Sequence, residues 1–321
     1  MFPELGQIRL NPPVILAPLA GITDLPFRRM VARFGAGLVV SEMVASEDVM
    51  RAQPLARARA ELGLGEAATA VQLAGRDPYW MAEAARYLQG QGAQVIDINM
   101  GCPAKRVTAP GGNGACGSAL MKDPDLALAL IEAVVRAVSV PVTLKTRLGW
   151  DDYNLNAAQI ARSAESAGVQ MITIHGRTRC QFYKGAANWA AIRAVKDAVS
   201  VPVIANGDII DTASARLALQ QSGADGVMIG RGAQGAPWRL AQIAADLHGT
   251  PAPEIPTGAD LAALVIEHYD QMLAFYDTDL GLKVARKHLG WYLSAAQTSR
   301  NRDAILNSST PATVRALLLD A

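Results

Sequence analysis

The 321-residue sequence has few aromatic residues, no excess of charge of either sign and no long apolar run. Phe, Trp and Tyr make up 5% of it, and 30 Lys and Arg residues nearly balance 29 Asp and Glu residues. A net charge of +1 excludes a general attraction to nucleic acids or membranes, so any polyanionic partner must bind to a local basic patch. No segment reaches the roughly 18 consecutive apolar residues that suggest a membrane span, and the first residues do not resemble a signal peptide.

Cysteine is also scarce, and the three cysteines lie far apart in the sequence at positions 102, 116 and 180. Their odd number and the absence of a CxxC pair argue against a disulfide framework or a zinc site, and they favour a reducing compartment. No HxxxH, HExxH or paired-carboxylate spacing occurs, so we expect neither a metal site nor a glycosidase pair. Together these absences predict a soluble, cytoplasmic protein.

Half of the residues are hydrophobic, and many of them fall into eight short runs that end in Gly or polar residues. The runs occupy residues 14–21, 38–44, 69–75, 95–103, 142–150, 171–178, 202–209 and 226–233. The intervals between these runs suit a strand, a loop and a covering helix. Helix signals lie between them, such as Asp24 before a Pro-containing segment that closes at Gly35, and the Asp-Pro pairs at 77–78 and 123–124.

Apolar strands that alternate with capped helices predict a parallel sheet covered by helices. Eight such units favour a closed (β/α)₈ TIM barrel within an α/β fold. A doubly wound open sheet is the alternative, but no GxGxxG sequence follows a strand and opens a helix.

The alternation of strand and helix patterns ends at residues 250–258, which have the composition of a linker. Only helical patterns follow, at residues 259–276, 282–296 and 311–319. We therefore predict a barrel domain over residues 1–249 and a small helical domain over residues 250–321. The alternative is that these helices merely pack under the barrel.

The stretch 95–103, VIDINMGCP, places Cys102 on a loop just past a buried strand. In barrels the chemistry lies at the carboxyl ends of the strands. The other reading is that Cys102 is a small buried hydrophobe, as many free cysteines are.

The eight strand ends together carry several cations and amides and few carboxylates, which suits an anionic, hydrogen-bonding ligand. Asn206, Gly207 and Asp208 end the seventh run, and Gly230 and Arg231 lie in the eighth, where this fold often binds phosphate. These glycines could instead serve only tight turns. Lys145 is expected to face the barrel mouth, and His175 is either a ligand-binding residue or a satisfied core histidine.

Nine segments together resemble the tRNA-dihydrouridine synthases, most closely the bacterial B type. They read APLAGITDLPFR, SEM, VQLAG, DINMGCPAKRV, LKTRLGW, IHGRTR, IANGDI, MIGRGAQGAPW and GLKVARKHLGWYL. The likeness extends from about residue 14 to residue 292, and its motifs are long and occur in the same order.

The resemblance implies an FMN-containing barrel that reduces tRNA uridines to 5,6-dihydrouridine, with NADPH recharging the flavin. Cys102 would protonate C5 of the uracil, which requires a thiol rather than a thiolate, and Lys145 would stabilise the reduced flavin. The residues implied to contact FMN are Pro18, Leu19, Ala20, Gln72, Lys145, His175, Asn206, Gly207, Asp208, Gly230 and Arg231. The residues expected to contact tRNA are Asn99, Arg147, Arg177, Lys283, Arg286 and Lys287.

Lys283, Arg286 and Lys287 share one predicted helix face, and the segment 282–302 has five basic residues and no acidic one. Such a run is more often only a solvated helix face.

The loop 108–117 departs from the usual B-type loop, so the position of the target uridine stays open. Its Cys116 could compete with Cys102 as the acid. The other readings of the chain are a flavin barrel acting on a free pyrimidine, as in dihydroorotate dehydrogenases, and an RNA-binding protein without catalysis.

Overall fold

A computed structural model describes residues 2–53, 60–62, 68–109 and 115–321. Its strands are β1 (Glu4–Leu5), β2 (Ile8–Arg9), β3 (Val14–Leu16), β4 (Leu38–Val40), β5 (Val44–Ala45), β6 (Thr69–Ala74), β7 (Val95–Met100), β8 (Val142–Arg147), β9 (Met171–His175), β10 (Val203–Asn206) and β11 (Gly226–Ile229). Its α-helices are α1 (Leu25–Phe34), α2 (Ser46–Met50), α3 (Pro78–Gly90), α4 (Lys105–Thr108), α5 (Pro124–Ala137), α6 (Ala157–Ser166), α7 (Arg193–Lys196), α8 (Thr212–Ser222), α9 (Arg239–His248), α10 (Gly258–Tyr276), α11 (Thr278–Ala295), α12 (Arg302–Asn307) and α13 (Pro311–Leu319).

Eight parallel strands close into a ring. The order is β4, β3, β11, β10, β9, β8, β7 and β6, and β6 pairs again with β4. The short β5 continues the path of β4 and pairs with the end of β6. The predicted (β/α)₈ barrel is therefore confirmed, and the doubly wound alternative is wrong because an open sheet would leave two strand edges unpaired.

The barrel interior has an apolar lower layer and a polar upper layer. The lower layer contains Ile15, Ala70, Val95 and Ile204, and Leu5 from the β1–β2 hairpin packs in the same cluster. Side chains point to the same face of a strand at every second residue. The upper layer therefore begins two residues further along each strand, and it contains Gln72, Asp97, Thr143, Lys145, Thr173, His175 and Asn206.

The covering helices begin and end at the residues that the sequence signals indicated. Asp24 caps α1 by accepting a hydrogen bond from the Phe27 N–H, and Gly35 ends this helix in the left-handed conformation. Asp77 and Asp123 cap α3 and α5, each followed by proline. Short polar side chains at these positions satisfy N–H groups that have no partner inside the helix.

Helices α10 to α13 share an apolar core of their own, which includes Tyr269, Leu289 and Ile305. Met30 of α1 and Trp238 belong to the same cluster, so this helical unit packs against the side of the barrel. Helix α12 was not predicted. The division into domains at residue 249 stays a prediction. None of the described helices is long and apolar enough to cross a membrane.

Candidate active site

A cavity of about 740 Å³ opens at the carboxyl ends of the barrel strands. Every residue that the resemblance assigned to FMN lines it, together with Cys102, Asn99 and Arg147. Further lining residues are Ala17, Ile22, Met43, Gly101, Pro103, Tyr183, Ile209, Ile210, Gly232 and Gln234. The volume is within the usual range for small-molecule and cofactor sites, about 300–1,000 Å³.

A chain of buried side chains positions the Cys102 backbone. Gln72 Nε2 donates to Asp97 Oδ2 over 2.6 Å, and Asn99 Nδ2 donates to Gln72 Oε1 over 2.7 Å. The Asn99 Oδ1 then accepts the Cys102 N–H over 3.0 Å. These hydrogen bonds give the side-chain amides of Gln72 and Asn99 one fixed orientation each. The loop that carries the Cys102 thiol is therefore held by side chains of the barrel interior.

Asp97 is the member of this chain that the sequence analysis did not single out. Its other oxygen accepts from Thr143 Oγ1 over 2.6 Å, and its side chain is buried. Burial raises the pKa of Asp97, while the hydrogen bonds from Thr143 and Gln72 and the charge of Lys145 work in the opposite direction. The sequence did contain a signal for this residue. Asp97 lies two residues before Asn99 on a buried strand, so both side chains lie on the same face of that strand.

Asn206 connects Lys145 with His175. Its Nδ2 donates to the Met228 carbonyl over 2.8 Å, so its Oδ1 faces Lys145 Nζ at 3.1 Å and His175 Nδ1 at 3.0 Å. An amide oxygen only accepts, so Nδ1 of His175 carries the hydrogen. Nε2 then accepts from Arg177 Nη1 over 3.3 Å.

Burial and neighbouring cations shift both basic groups toward their neutral forms. Burial, and then the charge of Arg147, lowers the pKa of Lys145 to about 8. Burial, followed by the charges of Lys145, Arg147 and Arg177, lowers the pKa of His175 well below its usual value. At pH 7 the site therefore holds a charged Lys145 and a neutral His175.

Arg147 and Arg177 are both buried, but they differ in their access to the cavity. Arg147 lines it, while its Nε donates to the Gly101 carbonyl over 2.7 Å and so holds the residue before Cys102. Arg177 is not part of the lining. Its guanidinium donates to Asp208 and to the carbonyls of Lys184 and Gly185. These donors are used inside the protein and give no support to the expected contact of Arg177 with tRNA, which stays a prediction.

The turn after β10 is shaped by two residues with positive φ, Gly207 at 112° and Asp208 at 52°. A Cβ on Gly207 would lie 2.9 Å from the Ala187 Cβ, so a side chain does not fit there. The Asp208 carboxylate is partly buried, which works against its ionisation. The hydrogen bonds from Arg177 and the Ala187 N–H nevertheless hold its pKa below the usual value.

Tyr183 is a second residue that the sequence analysis missed. It stands at the cavity mouth with 48% of its surface exposed. The guanidinium carbons of Arg147 and Arg231 lie 5.5 Å and 5.3 Å from its ring centroid, within cation–π range. The loop between β9 and α7 brings Tyr183 there, and no strand or helix period in the sequence indicates such a position.

Cys102 is half-buried, and its carbonyl accepts hydrogen bonds from the N–H and the Oγ of Ser118. Cys116 is also near, but it does not line the cavity. Burial, and then the nearby Cys102, raises the pKa of Cys116 to about 11. Residues 110–114 of the loop 108–117 lie outside the described residues.

Gly117 should be intolerant of substitution. Its φ is +60°, and an added Cβ would lie 2.9 Å from the Cys102 carbonyl oxygen and 3.2 Å from the Cys102 Cβ. We expect Gly117→Ala to displace the Cys102 thiol and to lower the turnover number of the reaction in this cavity at least tenfold. Misplacing a reacting group by a small distance is costly to the rate. The control is Gly90→Ala at the end of α3, where a Cβ meets nothing within 4 Å. Turnover of Gly117→Ala equal to that of the control would contradict this assignment.

The basic face of α11 divides into two parts. Lys283 and Arg286 are exposed. Lys287 is half-buried and donates to the Gly21 carbonyl, in the loop that carries Pro18, Leu19 and Ala20. Burial lowers the pKa of Lys287, although Asp24 and Glu42 favour its charge. Lys287 thus ties the helical unit to the cavity wall, which its sequence spacing did not indicate.

Comparison with known proteins shows the family. The dihydrouridine synthase (Dus) family model matches residues 15–320. The chain belongs to the dihydrouridine synthase family. It is 62% identical over 319 residues to a probable tRNA-dihydrouridine synthase of Rhodobacter capsulatus, covering 99% of this chain and 97% of that protein. It is 46% identical over 291 residues to tRNA-dihydrouridine synthase B of Vibrio vulnificus, covering 90% and 89% respectively.

The fold of this dihydrouridine synthase family member also occurs in a solved structure of distant sequence. The histamine dehydrogenase from Rhizobium sp. 4-9 superposes with a TM-score of 0.52 at 12% identity. The match covers 82% of this chain and 50% of that one, and at such low identity it shows the fold alone. The resemblance that the nine sequence segments indicated is confirmed by the family match.

Proposed function

We propose that this protein reduces uridines in tRNA to 5,6-dihydrouridine with a bound FMN that NADPH recharges. The observation that carries the proposal is that Cys102, Lys145 and the predicted phosphate turns line one cavity. The relatives named tRNA-dihydrouridine synthases support the substrate.

The donor set of the cavity fits FMN. Gly207, Asp208, Gly230 and Arg231 lie at one side of it, and none of their backbone N–H groups has a hydrogen bond to another described residue. Unpaired N–H groups beside Arg231 suit a phosphate. Gln72, Lys145 and Asn206 supply donors and acceptors for the polar edge of a flavin ring, and Pro18, Leu19 and Ala20 supply an apolar wall. When bound, the reduced flavin supplies the hydride for C6 of the uracil.

Cys102 supplies the proton. Its thiol stands on the cavity lining, and its backbone is fixed on both sides by Asn99 and Ser118. Proton transfer from Sγ to C5 of the uracil completes the addition of two hydrogens across the C5–C6 bond. Cys116 is a weaker candidate because it lies outside the lining.

The other residues at the mouth orient the base. Asn99 and Arg147 line the cavity next to Cys102, and the exposed ring of Tyr183 offers a flat apolar face. A target base must leave the RNA stack to enter such a site, and aromatic faces stabilise bases that are splayed out. Lys283 and Arg286, both exposed on α11, are proposed to bind the RNA backbone outside the cavity.

Dihydrouridine mapping tests this function directly. tRNA from cells that lack the gene should lose dihydrouridine at one or more positions, and the wild-type gene should restore it. The purified protein should be yellow and should oxidise NADPH only slowly without tRNA. Unchanged tRNA in the deletion strain, with turnover of free uracil or orotate by the purified protein, would contradict the proposal.

A further inference from the structure

A second pocket of about 500 Å³ lies on the same face of the barrel as the active-site cavity. Its lining comes from loops that follow the strands β6, β7, β8 and β9, so it sits on the rim beside Cys102. The lining residues are Arg76, Lys105, Thr108, Ala109, Ala115, Ala119, Lys122, Asp123, Trp150 and Arg179.

The pocket is strongly positive. It contains four cations, and none of the four has an ion pair with another residue in the described part of the chain. The one carboxylate, Asp123, is used as the N-cap of α5, where it accepts the Leu126 N–H over 3.2 Å. The excess of positive charge therefore favours binding of an anion.

Two of the cations are held in place by one aromatic ring. The Lys122 Nζ lies 4.8 Å and the Arg179 Cζ lies 4.6 Å from the centroid of Trp150. Arg179 is fixed further by Nη2, which donates to Thr108 Oγ1 over 2.9 Å, while its Nε is buried and has no partner. Two like charges beside one ring favour an anionic ligand that would reduce their repulsion.

Hydrogen bonds connect the loops that line the two cavities. Thr108, which binds Arg179, ends the short helix α4 that follows Cys102, and Arg147 of the active site donates to the Thr178 carbonyl. An anion in the second pocket therefore lies next to the loop that carries the thiol.

We propose that this pocket binds a backbone phosphate of the substrate RNA close to the target uridine. The proposal rests on the proposed function, since it needs an RNA in the active site. Besides the cations, the lining offers three alanines, one threonine that already binds Arg179, the capping Asp123 and Trp150. With the ring of Trp150 engaged by Lys122 and Arg179, such a lining favours recognition of charge over recognition of a base or a ribose. Phosphate contacts of this kind fix the register of a nucleic acid, and here they hold the flipped uridine in line with Cys102.

The test uses the full-length holoenzyme and unmodified tRNA. Lys105 and Lys122 are both exposed and neither lines the active-site cavity, so Lys105→Gln with Lys122→Gln should fold normally. We expect about a tenfold loss of tRNA affinity and a salt dependence of binding that is shallower by about one unit. The KM for tRNA should rise, and the NADPH kinetics without tRNA should not change.

Two matched variants complete the experiment. Lys105→Arg with Lys122→Arg keeps the charge and should retain wild-type affinity. Arg136→Gln with Arg216→Gln removes two exposed cations from α5 and α8 and should have no effect on binding. Equal tRNA affinity and salt slope in the Gln variant and the wild type would overturn the phosphate site. So would a rise in the KM for NADPH with tRNA binding unchanged. A wild-type protein that does not bind tRNA would instead refute the proposed function.

Discussion

Cys102→Ala is expected to abolish dihydrouridine formation while leaving the flavin bound. Loss of a general acid typically lowers a rate by about 10² to 10⁴. The substitution removes only Sγ, and the backbone contacts of residue 102 with Asn99 and Ser118 do not depend on the side chain. The cavity should therefore keep its shape and its cofactor. The measurements are dihydrouridine formed per enzyme, the flavin absorbance and the tRNA affinity.

The chain offers two controls for this experiment. Cys180→Ala removes an exposed thiol that lies outside the cavity lining, and it should be as active as the wild type. Cys116→Ala removes the half-buried neighbour, and it should retain most of the activity if Cys102 alone delivers the proton. Full turnover by Cys102→Ala would refute the acid assignment. Loss of activity in Cys116→Ala but not in Cys102→Ala would transfer the role to Cys116.

The barrel and most of the cavity lining were predictable because both follow from local sequence patterns. Apolar runs with polar ends mark the strands, and the closure of eight strands brings those ends to one face. Gln72, Lys145, His175 and Asn206 were found in this way, since each one is at or near the end of a strand. Knowing which strand ends are polar was sufficient to list the side chains that meet there.

The remaining features depend on contacts between distant segments. Arg177 follows a strand end as the others do, but the loop after β9 folds back and surrounds its guanidinium with the carbonyls of Lys184 and Gly185. Lys287 shares a helix face with Lys283, yet it is half-buried because α11 docks against the Gly21 loop. No periodic pattern in the sequence predicts either arrangement. Residues that look equivalent in spacing therefore differ in whether they are available to an RNA.

Lys145→Met should slow the reduction of the bound flavin by NADPH about a hundredfold. The ammonium group faces the cavity and is held by Asn206 Oδ1 at 3.1 Å, where it can stabilise negative charge that develops on a ligand. A preorganised charge of this kind in a partly dry site contributes a few kcal/mol. Methionine has a similar length and no charge. Lys283→Met is the matched control, because Lys283 is exposed on α11 and outside the cavity.

The pH dependence separates a charge effect from a packing effect. Burial, and then the charge of Arg147, lowers the pKa of Lys145 to about 8. The protonated form is the charged form, so the ammonium fraction falls as the pH rises through about 8. Flavin reduction by the wild type, followed by stopped-flow absorbance without tRNA, should slow over that range. The Lys145→Met variant should be slow at every pH and should lack this alkaline limb. If the variant kept the wild-type pH profile, the titrating group would be another residue and Lys145 would not supply the charge.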